Sequence, residues 1–176
     1  MGTEWPQVYL DIVDDSDAVA GRASFQEAHE GGLRHRSVQV FVFQEGDLRF
    51  LLRSKRGRAA IGSFQYNPSA AGHVEAGESY VCAAFRELGE ELFHAAPVPP
   101  LELEDAVSYR IATRRPNGGW NRENTRLFHG VYPGPFFPDA GEVAEAAFVD
   151  RDEIWEDMER RPRVYTQSFI NAMARF

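Results

Sequence analysis

The chain holds a single cysteine, Cys82, among its 176 residues, which excludes an internal disulfide framework. No apolar run approaches the ~20 residues that span a bilayer, and no basic-then-apolar leader opens the sequence. Both absences lead us to expect a cytoplasmic protein with no membrane association. Cations are outnumbered, with 19 Lys and Arg against 27 Asp and Glu and a formal net charge of −8. That balance argues against nonspecific nucleic-acid binding, which depends on neutralising phosphates with Lys and Arg. Repeats, low-complexity tracts and long linkers are missing too, so a single domain over residues 1–176 is expected. Hydrophobic residues make up 43% of the chain, an ordinary share for a globular protein long enough to bury a core. A small phosphorylated substrate remains compatible with the acidic balance, because a bound divalent metal reverses the local field.

What is present organises as strands and short helices. Val8–Val13 and Ala18–Arg22 flank the acidic turn Asp14–Asp17 and read as a hairpin. Ser24 begins a short helix with Glu27 completing a capping box. Ser37–Phe43 and Leu48–Arg53 are β-branched and aromatic, the clearest strands. Ile61–Ala71 reads as a loop leading into a short strand. A helix is expected from Ser79 to Leu92, with Val81, Phe85, Leu88 and Leu92 as its buried stripe. Pro97, Pro99 and Pro100 stop it. Val107–Thr113 and Thr125–Val131 read as a long hairpin. Ala146–Val149 reads as a last strand, followed by helices ending near Met158 and over Thr166–Arg175. Strands before, between and after helices give an α/β fold with a mixed sheet flanked by helices.

The segment Gly72–Glu91, GHVEAGESYVCAAFRELGEE, carries the chemistry. On a helix, Glu87, Glu90 and Glu91 share one face, where like charges repel unless a cation or basic partner intervenes. The expectation is that these carboxylates lie off the buried stripe. Hard cations such as Mg²⁺ are held by carboxylate and carbonyl oxygens, often with a substrate phosphate. Gly72 and Gly77 allow the strand-to-helix turn and close backbone approach.

These residues resemble the Nudix box, the signature of Nudix hydrolases: Gly, five residues, Glu, seven residues, then Arg-Glu-apolar-any-Glu-Glu-any-Gly-apolar. Gly72, Glu78, Arg86, Glu87, Leu88, Glu90 and Glu91 fall at those spacings, within a box over 72–94 preceded by an N-terminal extension over 1–34. Phe93 and His94 depart from the last two positions, which puts the helix exit in question. The resemblance implies an α/β/α sandwich and Mg²⁺ as cofactor, with Mn²⁺ able to substitute. It also implies metal ligation by Glu87, Glu90, Glu91 and the Ala71 carbonyl. Gly72, Glu78 and Arg86 would give structural support, with Arg86 pairing to Glu78 to pin the loop to the helix.

The chain is also similar to type I isopentenyl-diphosphate isomerases and their hydrolase-like relatives, through LRHRSVQVFVF near the N-terminus and Gly141–Ile154 near the end. The isomerases' Cys-Gly-His is here Ala71-Gly72-His73, and their Glu-Asn-Glu is Glu123-Asn124-Thr125. His35 matches a second metal histidine; a third matches nothing in register, with His29 one position away. Moving a double bond needs a proton donor and an acceptor, and alanine and threonine at those positions cannot supply them. Diphosphate hydrolysis is then the expected reaction, on a nucleoside diphosphate derivative or similar organic diphosphate. An isomerase and a noncatalytic metabolite-binding module are the alternatives.

Glu90, Glu91 and Glu123 are the candidate catalytic residues, with Glu142 and Glu145 as further candidates for the base. Glu123, His73 and His35 are candidate metal ligands; an ordinary hydrogen-bonded histidine explains each of the two histidines equally well. Lys55 and Arg58, in the run Arg53–Arg58, would clamp phosphates or else be a solvated strand end. Cys82 is expected to pack, as are Trp120, Tyr109 and Phe64, with ring stacking on a substrate as the alternative. A homodimer is expected from family habit.

Overall fold

The computed structural model describes residues 7–44, 49–55 (backbone only), 65–94, 96–115, 118–140 and 143–176. The fold is built around one strand, β3 (Arg34–Phe43), whose alternating residues feed two cores. It runs parallel to β8 (Trp120–Val131) over its whole length, from Arg34 opposite Arg122 to Phe43 opposite Val131. β8 pairs antiparallel with β7 (Glu104–Arg114), the expected hairpin, longer at both ends. On its other side β3 meets two strands in succession. β6 (Ala70–His73) covers Ser37–Val40 and β4 (Arg49–Lys55) takes over at Phe43. β5 (Tyr66–Asn67) and β9 (Val143–Asp150) complete the mixed sheet along β4. β1 (Tyr9–Val13) and β2 (Val19–Ser24) form a separate two-stranded sheet.

Val38, Val40 and Val42 point to one face, against α2 (Tyr80–Leu92), where Ala83, Ala84, Leu88, Leu92 and Phe93 close a core with Phe128. Phe41 and Phe43 point to the other, against α3 (Arg151–Arg160) and α4 (Gln167–Met173), with Leu127, Ile154, Met158 and Phe169. Period-two alternation on a strand buried on both faces thus produces the α/β/α sandwich. No helix among the described residues is long and apolar enough to cross a membrane.

Local signals set the helix starts. The short helix α1 (Phe25–Glu30) has the full Ser24–Glu27 capping box. The Ser79, Asp150 and Thr166 side chains each accept from a backbone N–H in the first turn of α2, α3 and α4. At the end of α2, Phe93 takes the place of the expected glycine without left-handed backbone, φ −129° and ψ 32°, and packs into the core at 2% exposure. The box therefore tolerates a phenylalanine there because this helix exit needs no positive φ.

Three expectations for α2 fail. Val81 is 46% exposed rather than buried, and Cys82 is exposed rather than packed. Glu87 and Glu91 are buried, at 9% and 3% exposure, while Glu90 faces solvent. The inward face is thus Ala83, Ala84, Glu87, Leu88, Glu91 and Leu92, rotated from the stripe that hydropathy alone suggests. The cause is tertiary. The backbone of β6 offers polar groups and a side-chain-free position to this face of α2, so two carboxylates can be accommodated beside leucines.

Candidate metal centre and substrate cavity

β6 divides two groups of polar side chains. Its register with β3 sets Gly72 opposite Val38, on the α2 face, and Ala71 and His73 opposite Gln39 and Ser37, on the other. On the α2 face a Cβ added at Gly72 would overlap the Glu87 carboxylate, so only glycine leaves Glu87 its place. Ala71 N–H donates to Glu91 Oε2 at 3.1 Å instead of to β3. The N–H and C=O of one residue in an antiparallel strand leave by the same edge, so the Ala71 carbonyl faces the same side as Glu91. Arg86 fastens this edge. It forks onto Glu78 (Nε to Oε1 3.1 Å, Nη2 to Oε2 3.0 Å), donates to the His73 carbonyl at 2.7 Å and meets Glu87 Oε1 at 2.7 Å. These charge-assisted bonds hold the guanidinium firmly protonated despite its burial. Glu90 reaches Arg86 only at 3.5 Å, and its carboxyl is pushed up, first by burial and then by Glu87.

On the opposite face three imidazoles converge. One ligating atom each from His29, His35 and His73 lies within 4.8 Å of the others. His29 on α1 donates its Nδ1 proton to the Phe25 carbonyl at 2.8 Å and stacks on the Phe25 ring at 4.1 Å. His35 Nδ1 donates to the Leu33 carbonyl at 2.9 Å. A carbonyl only accepts, so both rings carry their proton on Nδ1 and present the Nε2 lone pair. Burial, then the neighbouring His73 ring, lowers both His29 and His35 to about 4, so they are neutral at physiological pH.

Glu123, opposite His35 in the β3–β8 register, completes the cluster. Its Oε1 lies 3.5 Å from His73 Nε2 and 3.9 Å from His35 Nε2. Burial would raise this carboxyl, but His73, His35 and the Asn121 amide outweigh it and bring it down to about 2. Asn121 Nδ2 donates to Oε1 at 2.8 Å and Ser37 Oγ donates to Oε2 at 3.1 Å. Because Ser37 spends its proton on the carboxylate, it accepts from the Thr125 hydroxyl, 2.8 Å away. The Thr125 proton is thus committed to a chain ending at Glu123.

A metal ion fits this cluster on two grounds. His35 Nε2 and His73 Nε2 are buried without a hydrogen-bond partner, and buried polar atoms are rarely left so. The donors are three imidazoles and one ionised carboxylate, with carbonyls orienting two of the rings, as metal-binding histidines usually are. That set suits a borderline cation such as Zn²⁺ better than Mg²⁺, which prefers oxygen. His29 is the ligand candidate that register matching left aside. Its position six residues before His35, on a capped helix, was the available signal.

The cluster opens into a cavity of about 1060 Å³ lined by Phe25, His73 and Glu123, by the edge of β7, and by α4. Several expected residues lie elsewhere. Glu145 is exposed on β9 and does not line the cavity. Arg58, Phe64, Glu142 and the side chain of Lys55 lie outside the described residues. Trp120 is 38% exposed, with the guanidiniums of Arg114 and Arg122 over its ring at 5.2 and 5.8 Å, rather than in the core.

A carboxylate helix pinned to a glycine-bearing strand edge, within an α/β/α sandwich, defines the class. The NUDIX domain model matches residues 33–168, and the chain belongs to that family. It is 32% identical over 161 residues to an isopentenyl-diphosphate Delta-isomerase of Streptomyces avermitilis, covering 88% of this chain and 77% of that protein. In fold it is similar to a Deinococcus radiodurans protein, with TM-score 0.69 and 16% identity over 86% of this chain and 89% of that one. A NUDIX hydrolase from Nitrosomonas europaea also superposes, with TM-score 0.55 and 23% identity over 78% and 84% of the two chains.

Proposed function

We propose that the protein is a metal-dependent Nudix hydrolase that cleaves the diphosphate bond of a nucleoside diphosphate derivative or similar organic diphosphate. The observation that carries this reading is the held pair Glu87 and Glu91 at the Gly72–Ala71 edge, with the converging His29, His35 and His73 rings, the first two neutral, and ionised Glu123 on the other face of the same strand. Two donor sets of different chemistry thus flank one short strand. Glu87, Glu91 and the Ala71 carbonyl would hold Mg²⁺ or Mn²⁺; the imidazoles and Glu123 would hold a borderline ion. When bound, such ions neutralise the diphosphate and bring the pKa of a bound water toward neutrality.

The protein's own groups divide the remaining work. Arg86 ties α2 to β6 through Glu78 and the His73 carbonyl and so fixes where the box carboxylates stand. Glu90 is the box carboxylate with solvent access and a raised pKa, which suits it to take the proton of the attacking water. Glu123, held near 2, is too weak a base for that step and serves as a ligand.

The similarity to isomerases supports a second reading, isomerisation of isopentenyl diphosphate to its allylic isomer. The side chains at its two proton-transfer positions oppose it: Ala71 has no acid group, and Thr125 is buried with its proton committed to Ser37. A noncatalytic binding module is opposed by the full set of box carboxylates.

The test is a panel of organic diphosphates with Mg²⁺ or Mn²⁺, scored by product identity. Phosphate or monophosphate release is expected, with Glu91→Gln losing on the order of 100-fold or more while its thermal unfolding stays cooperative. No release from any member, or an active Glu91→Gln, overturns the reading. An allylic isomer formed from isopentenyl diphosphate would establish the isomerase instead.

A further inference from the structure

The cavity has a second chemically distinct wall, on α4, that neither metal set uses. Its base is the buried Gln39, at 2% exposure. Gln39 Oε1 accepts from Tyr109 Oη, and its Nε2 donates to both Ser168 Oγ and, at 3.3 Å, the Ser168 carbonyl. That carbonyl fixes the amide orientation, since the opposite flip would set two acceptors together. Ser168 Oγ is therefore an acceptor from Gln39, and its own proton remains to be donated into the cavity it lines.

Ser168 and Asn171 follow at helical spacing along the same wall, and Arg175 extends it from the exposed turn just after α4. Asn171 Oδ1 accepts from Gln167 Nε2 at 3.2 Å, which leaves its NH₂ group as the outward donor. Arg175 donates from Nη1 to the Asn171 carbonyl at 2.7 Å, and its guanidinium lies 4.6 Å from the centre of the Tyr109 ring. Among the described residues, no carboxylate lies within 4 Å of Arg175, although the protein carries a net charge of −8. Glu123 is the only carboxylate among the described residues that line the cavity. The wall thus offers a hydroxyl, an amide and a guanidinium, all as donors. The apolar members of the cavity lining, Phe25, Ile111 and Ala112, come from α1 and β7 instead.

We propose that the Ser168–Asn171–Arg175 wall is a second anion subsite, which takes a carboxylate or phosphate group at the end of the substrate remote from its diphosphate. This rests on the diphosphate-hydrolase reading and narrows it to substrates with two separated anionic ends. Along β3, Gln39 stands four residues, ~13 Å, from His35, which leaves room for a sugar or short-chain linker. Arg175 anchors the group, Tyr109 holds the guanidinium by its ring face, and Gln39 orients the Ser168 donor.

The subsite is testable without turnover. The full chain, stripped with EDTA and held at about pH 8, above the ordinary histidine range, is titrated with inorganic phosphate and with succinate by calorimetry at constant ionic strength. Saturable binding of at least one is expected, and the tighter anion assigns the group. Arg175→Gln should weaken it tenfold or more, and Arg175→Lys, which keeps the charge, should weaken it less. No saturable binding, or equal binding by the wild type and Arg175→Gln, overturns the proposal. A second arm compares matched diphosphates with and without a terminal carboxylate or phosphate. The charged member should have the lower KM in the wild type, and that advantage should vanish in Arg175→Gln. A panel with no turnover defeats the hydrolase reading alone, because anion binding in EDTA is scored separately.

Discussion

Replacing Gly72 by alanine is the most direct test of how the carboxylate helix is seated. The added Cβ would occupy the space of the Glu87 carboxylate. Either Glu87 leaves its place and its 2.7 Å contact with Arg86 is lost, or β6 and α2 move apart. Overpacking a close-packed site costs about 1–3 kcal/mol, and breaking a fully buried ion pair about 3–5 kcal/mol. Arg86 is a quarter exposed and keeps both Glu78 and the His73 carbonyl, which puts this case toward the lower end. We expect a loss of about 2–4 kcal/mol, a fall in Tm of roughly 4–16 °C for a chain of this size. Removing the obstructing group should restore part of it. In a double-mutant cycle followed by urea unfolding, Gly72→Ala with Glu87→Ala should be more stable than the two single losses predict, by about 1 kcal/mol or more. An additive cycle, or a Tm within about 2 °C of the wild type for Gly72→Ala, would refute the steric account of this glycine.

Other predictions concern the histidine cluster. In the metal-free protein, His29 and His35 titrate at about 4 when folded, against 6.5 when unfolded, so the unfolded chain binds more protons in between. Their contribution to stability is complete above about 6.5 and is lost as pH falls towards 4. Glu123 adds a further loss between 4.5 and about 2. Urea unfolding in EDTA should show a drop of about 2 kcal/mol or more from about pH 7 to about pH 5, and a flat profile would rule out neutral buried imidazoles. Zn²⁺ at about 100 times its Kd should add ~2.7 kcal/mol to wild-type stability. Glu123→Gln and His35→Asn should lose most of that gain in a thermal-shift titration. An unchanged Zn²⁺ response in both would remove the cluster as a metal site.

Much of this molecule was legible residue by residue. The Ser24 and Ser79 caps act through bonds three residues long, so their helices begin where the sequence says. The β-branched run of β3 and the hairpin of β7 and β8 follow from periodicity, although both extend further than their most apolar residues suggest. The Arg86–Glu78 fork follows from the spacing of the box and forms as expected. Helix α2 was harder, because its two most consequential buried residues are glutamates. Hydropathy assigns such residues to solvent, and only a partner strand with a missing side chain and an outward N–H makes room for them.

The sequence by itself determined the local chemistry: which carboxylates share a helix turn, where glycine was needed, and which proton-transfer groups were absent at Ala71 and Thr125. Each of these depends on residue type and short spacing. The tertiary structure alone decided which of those groups meet. His29, His35, His73 and Glu123 come from α1, β3, β6 and β8, and their convergence depends on strand register, where a one-residue slip turns every side chain to the opposite face. The same register sends Gly72 to the box carboxylates and Ala71 and His73 to the cavity, so that two neighbouring residues of one strand serve opposite sides of the sheet.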